Sequence, residues 1–388
     1  MKGWKNIVYT FLTLLIAVLA SCTHSFSVAG GGSAAAAESI QQQQASWTRA
    51  HTLRKEDVPP RYDVNLDLPE EDRWAPVLVH YNKTMLAQMV KNALATELPK
   101  EAIPLVELIG SELNKYMPTP YSGEIKGIAK FLNVSIGEVF ALNILYEATA
   151  FCTSIVAVDS DNMIWHGRNL DYHLADILRN LTVVLDWKRN NRTVFTSTSY
   201  IGNIGVFTGM KPNVFTVSID ERDKGNIYEN IMGLLSALMN GTSTSFTSFL
   251  TREALEYDDT FKKVYTRLVD SHIIAPVYYI LGGVNPDEGV VITRARLKAL
   301  DINILVPSID KWFVLETNYD RWTTPPPSDD RRDPGIKYMK AVGRKNINDK
   351  TMYQVLSEPP VLNNKTTYTT LMTAAQPGLF QTYIRHYP

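Results

Sequence analysis

The alternation of apolar and polar residues changes period at Cys152. Upstream of it, apolar residues recur at helical spacing; downstream they recur every second residue. Leu86, Met89, Val90 and Leu94 mark one helical face within 74–116, where Pro99 and Pro104 interrupt and Leu105–Leu113 resumes. Residues 123–131 read as a short helix. Residues 136–150 read as another, with Ser135 and Glu138 spaced as a capping box. After Cys152 the pattern predicts strands over 153–158, 163–168, 181–187, 193–200, 204–207 and 213–219, with polar turns at 159–162 and 188–191. Helical spacing returns over 225–249 and 252–271. Strands resume over 276–282, 289–295, 302–306, 311–317, 366–373 and 379–385, with helices over 335–343 and 349–357. Two strand series and two blocks of helices predict an α+β architecture, two sheets packed between helical layers. No linker separates the halves, so residues 152–388 read as one sandwich and 59–151 as a helical cap on it.

Composition changes the picture at the N-terminus. Residues 23–58 are rich in Ala, Ser, Gly and Gln without an apolar face and read as a disordered tail. Residues 1–22 have a basic start, Lys2 and Lys5, then an apolar run over 7–19, which is a secretory signal pattern. Leu19 to Cys22 also fits a bacterial lipoprotein cleavage site. Against it stand six Asn-x-Ser/Thr sequons, Asn82, Asn133, Asn180, Asn191, Asn240 and Asn364, which favour a glycosylated lumenal protein. Net charge is -1 and no basic cluster is present, so nucleic acid is not an expected partner.

Only Cys22 and Cys152 are cysteines, so loss of the leader leaves Cys152 unpaired. An unpaired thiol in an oxidising compartment is either buried in the core or has work to do. A cysteine can attack the carbonyl just before it, moving the acyl group from nitrogen to sulfur; water then cleaves the thioester. Cutting Phe151-Cys152 this way would leave an N-terminal cysteine. Its α-amine, with a pKa of about 7.7–8.0, can act as base for the adjacent thiol. No histidine is required, and His166 and His173 offer no convincing partner; His173 is the best spare candidate. Zinc, phosphate-loop and serine-elbow motifs are absent, so neither metal nor cofactor is expected.

FCTSIVAVDSDNMIWHGRNLDY (151–172) closely resembles the cleavage-site motif of the acid ceramidase and N-acylethanolamine acid amidase family. GEIKGIA (123–129), FTVSIDERDKG (215–225), PVYYILGG (276–283), EGVVITRAR (288–296), ETNYDRW (316–322), DDRR (329–332) and YTTLM (368–372) extend the resemblance over roughly residues 59–388. It implies an N-terminal-nucleophile hydrolase with a four-layer αββα sandwich. It further implies a lysosomal precursor that cuts itself in acid into an α-subunit ending at Phe151 and a β-subunit beginning at Cys152, which stay together as a heterodimer. By the same resemblance Cys152 is the nucleophile, Asp171 holds its α-amine, and Arg168 fixes Asp171. Glu221 is needed near the cut bond, Asn318 donates to the oxyanion, and Arg331 stands at the site's rim. Taken alone, Arg168 with Asp171 is equally a surface ion pair, Asn318 a turn residue and Glu221 a solvated carboxylate. The implied substrate is a lipid amide reached by transient contact with a membrane surface. N-acylethanolamine is favoured over ceramide by the wording of GRNLDY and ERDKG and by the paucity of cysteines. The reading from another class is a non-enzymatic secreted glycoprotein with a buried thiol.

Overall fold

A computed structural model describes residues 57–97, 103–115, 117–148, 151–222, 244–309 and 311–387. The signal and most of the tail, Asn240 and most of the 225–249 segment lie outside the described residues. The N-terminal part gives strand β1 (Arg61–Asn65) and helices α1 (Ala75–Leu78), α2 (Lys83–Glu97), α3 (Ile103–Asn114), α4 (Tyr121–Leu132) and α5 (Ile136–Ala148). The capping box forms: Ser135 Oγ accepts from Glu138 N at 3.0 Å, and Glu138 Oε2 accepts from Ser135 N at 2.6 Å.

From Phe151 onward the chain builds two sheets. Strands β2 (Phe151–Val158), β3 (Ile164–Asp171), β11 (Phe313–Glu316), β12 (Thr366–Met372) and β13 (Phe380–Ile384) form a five-stranded sheet in the order β11-β2-β3-β12-β13. Strands β4 (Thr182–Arg189), β5 (Arg192–Tyr200), β6 (Thr208–Lys211), β7 (Phe215–Glu221), β8 (Val277–Gly282), β9 (Gly289–Arg294) and β10 (Ala299–Ile304) follow one another in the larger sheet, which β1 joins at the β4 edge. The β1–β4 pairing is parallel, unlike its antiparallel neighbours. A piece of chain from before Phe151 therefore completes a sheet made after it.

Helices α6 (Ala175–Leu181), α7 (Thr247–Tyr257) and α8 (Phe261–Asp270) precede and follow strands of the larger sheet, whereas α9 (Arg332–Val342) and α10 (Asp349–Val355) pack on the smaller one. Outside the larger sheet, Tyr121 of α4 stacks on Phe249 of α7, with ring centroids 4.0 Å apart. The four layers are thus helix, sheet, sheet, helix. Between the sheets the packing is unusually rich in hydroxyls: Thr198 meets Thr370 at 2.8 Å and Thr382 at 2.7 Å, and Thr208 meets Tyr368 at 2.9 Å.

Three boundaries differ from the sequence reading. The expected strand over 204–207 is irregular, because Gly202 turns the chain with φ 85° and Gly205 is pressed against Ser248. The expected helix over 252–271 splits in two at Asp258-Asp259-Thr260, where Thr260 caps α8 by accepting from Lys263 N at 3.2 Å. The strand after the apolar helix begins at Phe151 itself, so the bond between Phe151 and Cys152 lies within β2.

Candidate active site

The β2–β3 hairpin positions the central residues. Asp159 closes its turn, accepting from Asp161 N and Met163 N at 2.9 Å each, with Asn162 left-handed. Once that turn is fixed, register follows: Phe151 faces Asp171, Cys152 faces Leu170, and Ser154 faces Arg168. Side chains alternate across a strand. Arg168 and Asp171, three apart, therefore leave β3 on opposite sides.

This corrects one expectation. Arg168 does not fix Asp171; it points between the sheets. Its Nη2 lies 2.7 Å from Cys152 Sγ and 2.9 Å from Ile219 O, and its Nη1 donates to Phe207 O at 2.7 Å and Thr208 Oγ1 at 2.5 Å. Asp171 points toward the helical side, where Asn363 Nδ2 donates to its Oδ2 at 3.0 Å and Arg331 Nη1 lies 3.2 Å away. The other oxygen of Asp171, Oδ1, is buried without a partner.

Arg331 is likewise not at a rim. It is 2 % exposed and ties the site together, donating through Nη1 to Cys152 O at 2.5 Å and through Nη2 to Asn318 Oδ1 at 2.7 Å. The DDRR loop reaches the start of β2 because Asp329 anchors it, accepting from Tyr319 Oη at 2.9 Å and from Arg331 Nε at 3.0 Å. Asn318 turns its oxygen toward Cys152: Oδ1 accepts from Cys152 N at 2.9 Å, while Nδ2 donates to Glu221 O at 2.7 Å. Glu221 closes β7 half-buried beside this contact. The six expected residues thus gather around one bond, with Arg331 rather than Arg168 beside Asp171.

Burial sets the protonation states. Cys152 is fully buried, which pushes its thiol up to about 12 against the opposing pull of Arg168. Burial also raises Asp171, with Arg331 opposing. Neither histidine serves Cys152. Burial holds His166 down at about 3, and its ring nitrogens meet Thr216 Oγ1 and Ser218 Oγ at 2.9 Å each. His173 instead packs edge-on against the Phe151 ring, centroids 5.5 Å apart. Lys365 Nζ covers the same ring at 4.9 Å.

Two residues of this site escaped the sequence reading. Asp220 is buried on the inter-sheet side, and Asn363 holds Asp171. The alternation of Thr216, Ser218 and Asp220 along β7 was the available signal for the first, since three polar residues on one face of a buried strand need partners. For Asn363, in the turn before β12, no local pattern points across to β3. Among the described residues no His, Cys, Asp and Glu group could hold a metal. The five described sequon asparagines, Asn82, Asn133, Asn180, Asn191 and Asn364, are all exposed.

A sandwich of this layering, with a lone buried cysteine at the start of a central strand and an arginine on its sulfur, defines an N-terminal-nucleophile hydrolase of linear amide C–N bonds. Comparison with known proteins agrees. Residues 152–333 match the linear amide C–N hydrolases of the choloylglycine hydrolase family, and residues 57–117 match the "beta subunit of N-acylethanolamine-hydrolyzing acid amidase". That description gives the letter beta to a stretch that precedes Cys152. The N-acylethanolamine-hydrolyzing acid amidase of Rattus norvegicus is 43% identical over 329 residues, 85% of this chain and 90% of the relative. Acid ceramidase of Homo sapiens is 36% identical over 383 residues, 90% of this chain and 94% of the relative. A solved structure, the Caenorhabditis elegans ortholog of the amidase, aligns with a TM-score of 0.55 at 35% identity, covering 60% of this chain and all of that one. The chain belongs to the N-acylethanolamine-hydrolyzing acid amidase and acid ceramidase family and is an amide hydrolase.

Proposed function

We propose that this enzyme is a lysosomal N-acylethanolamine amidase, made as a glycosylated precursor and activated by cutting its own chain between Phe151 and Cys152. The observation that carries the reading is the arrangement around one backbone nitrogen. Cys152 N lies 2.9 Å from Asn318 Oδ1, its thiol lies 2.7 Å from Arg168, and Asp171, which carries an unpartnered buried oxygen, faces Phe151, the other residue of the bond, from β3. A free α-amine gains N–H donors that a peptide nitrogen lacks. Asn318 Oδ1 already accepts from this nitrogen, and Asp171 Oδ1 is the unpartnered acceptor for an added N–H.

In the cut enzyme the α-amine of Cys152 takes the thiol proton and the sulfur attacks the acyl carbonyl of the substrate. Arg168 balances the charge on sulfur. Asn318 Nδ2, now given to Glu221 O, is the donor for the developing oxyanion. The protonated amine returns its proton to the departing ethanolamine nitrogen, and water releases the fatty acid from the thioester. Arg331 and Asn363 keep Asp171 aimed at the amine.

The substrate reading draws on two further features. An apolar pocket is lined by Leu86, Met89, Leu132, Leu174, Ile177 and Ile201, that is, by α2 and α4, which precede Cys152, and by the segment that follows Asp171. Its lining has the apolar character an acyl chain needs, and such a chain would have to open it further, since it has room for about one water molecule. Met85 on α2 and Leu108 on α3 are exposed apolar side chains, which suit transient contact with a lipid surface. Identity is higher to the amidase of Rattus norvegicus, 43%, than to the human ceramidase, 36%, which ranks N-acylethanolamine above ceramide.

Incubating the precursor in acid and sequencing the products tests the activation: a fragment beginning at Cys152 is expected, and none from Cys152→Ala. Fatty acid released from N-palmitoylethanolamine is then compared with that from ceramide under identical conditions. Faster release from ceramide would reassign the substrate.

A further inference from the structure

The α-amine can serve as base only after it exists. The uncut chain has a peptide nitrogen at Cys152, so the thiol must give its proton elsewhere during the first cut. The structure offers a candidate on the inter-sheet side. Asp220 is fully buried on β7; its Oδ1 accepts from Ser154 Oγ at 2.8 Å, and its Oδ2 has no partner. One guanidinium nitrogen serves both groups: Arg168 Nη2 is 2.7 Å from Cys152 Sγ and 4.0 Å from Asp220 Oδ1.

We propose that Asp220 accepts the Cys152 thiol proton during self-cleavage and returns it to the nitrogen that leaves. The inference rests on the self-cleavage reading above. The proton passes from Sγ to Asp220 as the sulfur bonds to the Phe151 carbonyl carbon. The C–N bond then breaks, and the nitrogen of Cys152 takes the proton from Asp220 to become an amine. Water adds to the resulting thioester, the S–C bond breaks, and Phe151 leaves as a carboxylate while the thiol is restored. Negative charge passes from Asp220 to the Phe151 carbonyl oxygen in the tetrahedral intermediate and returns to Asp220 when the nitrogen takes the proton, so the number of ions in the buried layer does not change.

Other groups nearby are less suited. Asp171 leaves β3 on the opposite side and is already engaged by Arg331 and Asn363. His166 lies at the far end of a ladder, Ser218 to Ser154 at 2.8 Å and Ser154 to Asp220 at 2.8 Å, and is too acidic to hold a proton. Glu316 faces Ser154 from β11, and its Oε1 accepts from Thr317 N at 2.9 Å. Glu221, next along β7, alternates to the other face. The remaining charges that act on Asp220 come from Arg168 and, further off, Arg331. Burial raises the Asp220 carboxyl to about 7, enough to hold a transferred proton until the nitrogen departs; only its ionised fraction can accept one, so cutting through Asp220 should quicken as pH rises from 4 toward 7.

The test follows precursor cutting over time from pH 4 to 7 for Asp220→Asn and Asp220→Glu, alongside turnover of N-palmitoylethanolamine per cut molecule. Cutting by the Asn protein should slow by about 100-fold or more, the usual contribution of a positioned base, with partial recovery in the Glu protein. The loss in cutting should exceed the loss in turnover by at least about tenfold, since the α-amine takes over once formed. If the Asn protein never cuts, the ratio is taken from the Glu protein. Cutting at the wild-type rate, or equal losses in cutting and turnover, would overturn the inference. So would a Glu protein no better than the Asn protein. A wild-type chain that never cuts would remove the self-cleavage reading, and this inference with it.

Discussion

Arg331 shows how much one side chain can carry. Its two terminal nitrogens reach Cys152 O, Asp171 and Asn318, a fork that a lysine point charge cannot reproduce. Arg331→Lys should lower both cutting and turnover by about 100-fold or more, the order expected when transition-state charge loses a preorganised donor. A gel time course with a fatty-acid release assay reads both. Asp220 supplies a second prediction, on stability. Its folded pKa, about 7, lies above the roughly 3.9 of an unfolded aspartate, so the native state binds the extra proton across that window. Its contribution is most favourable at acid pH and is lost as pH rises toward 7. In an uncuttable Cys152→Ala background, Tm should fall from pH 5 to pH 8, and Asp220→Asn should flatten that slope. An unchanged slope would place the titration on Asp171 or Glu316, whose carboxyls burial also raises.

The elements of the core were largely legible in the sequence, because period two and helical spacing act over several residues. β2, β3 and β12 come from unbroken runs, and the capping box before α5 forms as its spacing predicts. What failed was decided by neighbours remote in the chain. The helix expected through Arg252 to Ser271 divides because Asp258 is committed to Arg267, paired at 2.7 Å, and Thr260 starts a new cap. At the site, the identities of Cys152, Asp171, Asn318 and Arg331 were legible from the family resemblance, but the pairing was not. Strand alternation separates Arg168 from Asp171, and the partner that replaces it, Arg331, arrives from a loop 160 residues later. At this scale the crossing of α3 and α5 is testable. A Cβ at Gly137 would collide with the backbone carbonyl of Glu107, which no rotamer change can relieve. Gly137→Ala should cost about 1–3 kcal/mol of stability, measured by denaturant unfolding of the Cys152→Ala protein.

Across the whole molecule the residues before and after the Phe151-Cys152 bond are joined by more than apolar contact. Glu124 of α4, fully buried, accepts from Arg252 at 2.6 and 2.7 Å, from Trp74 at 2.9 Å and from Arg73 at 3.1 Å. Arg252 comes after Cys152 in the chain and also lies 4.3 Å over the Trp187 ring. Burial alone would raise Glu124, but the charge and hydrogen bonds of Arg252 hold it below the ordinary carboxylate range. Its contribution is therefore present at neutral and mildly acid pH and is lost only as pH falls through that lowered value. Glu124→Gln removes one of the two carboxylates that balance buried Arg252, leaving Glu256 at 3.0 Å as the other, at a cost of up to about 3 kcal/mol. The uncut chain can still hold its pieces together covalently. Once cut, the variant should shed its N-terminal fragment on size exclusion at pH 5, where the wild type should co-elute as a pair.

Shedding would also undo the parallel pairing of β1 with β4. Strand β4 would then stand at the sheet's edge, with the backbone groups of Val184–Lys188 that had faced β1 left open as a template for another chain. In an enzyme cut as proposed, the N-terminal part would guard against self-association as well as wall the pocket, and its loss and turbidity in aged enzyme should rise together.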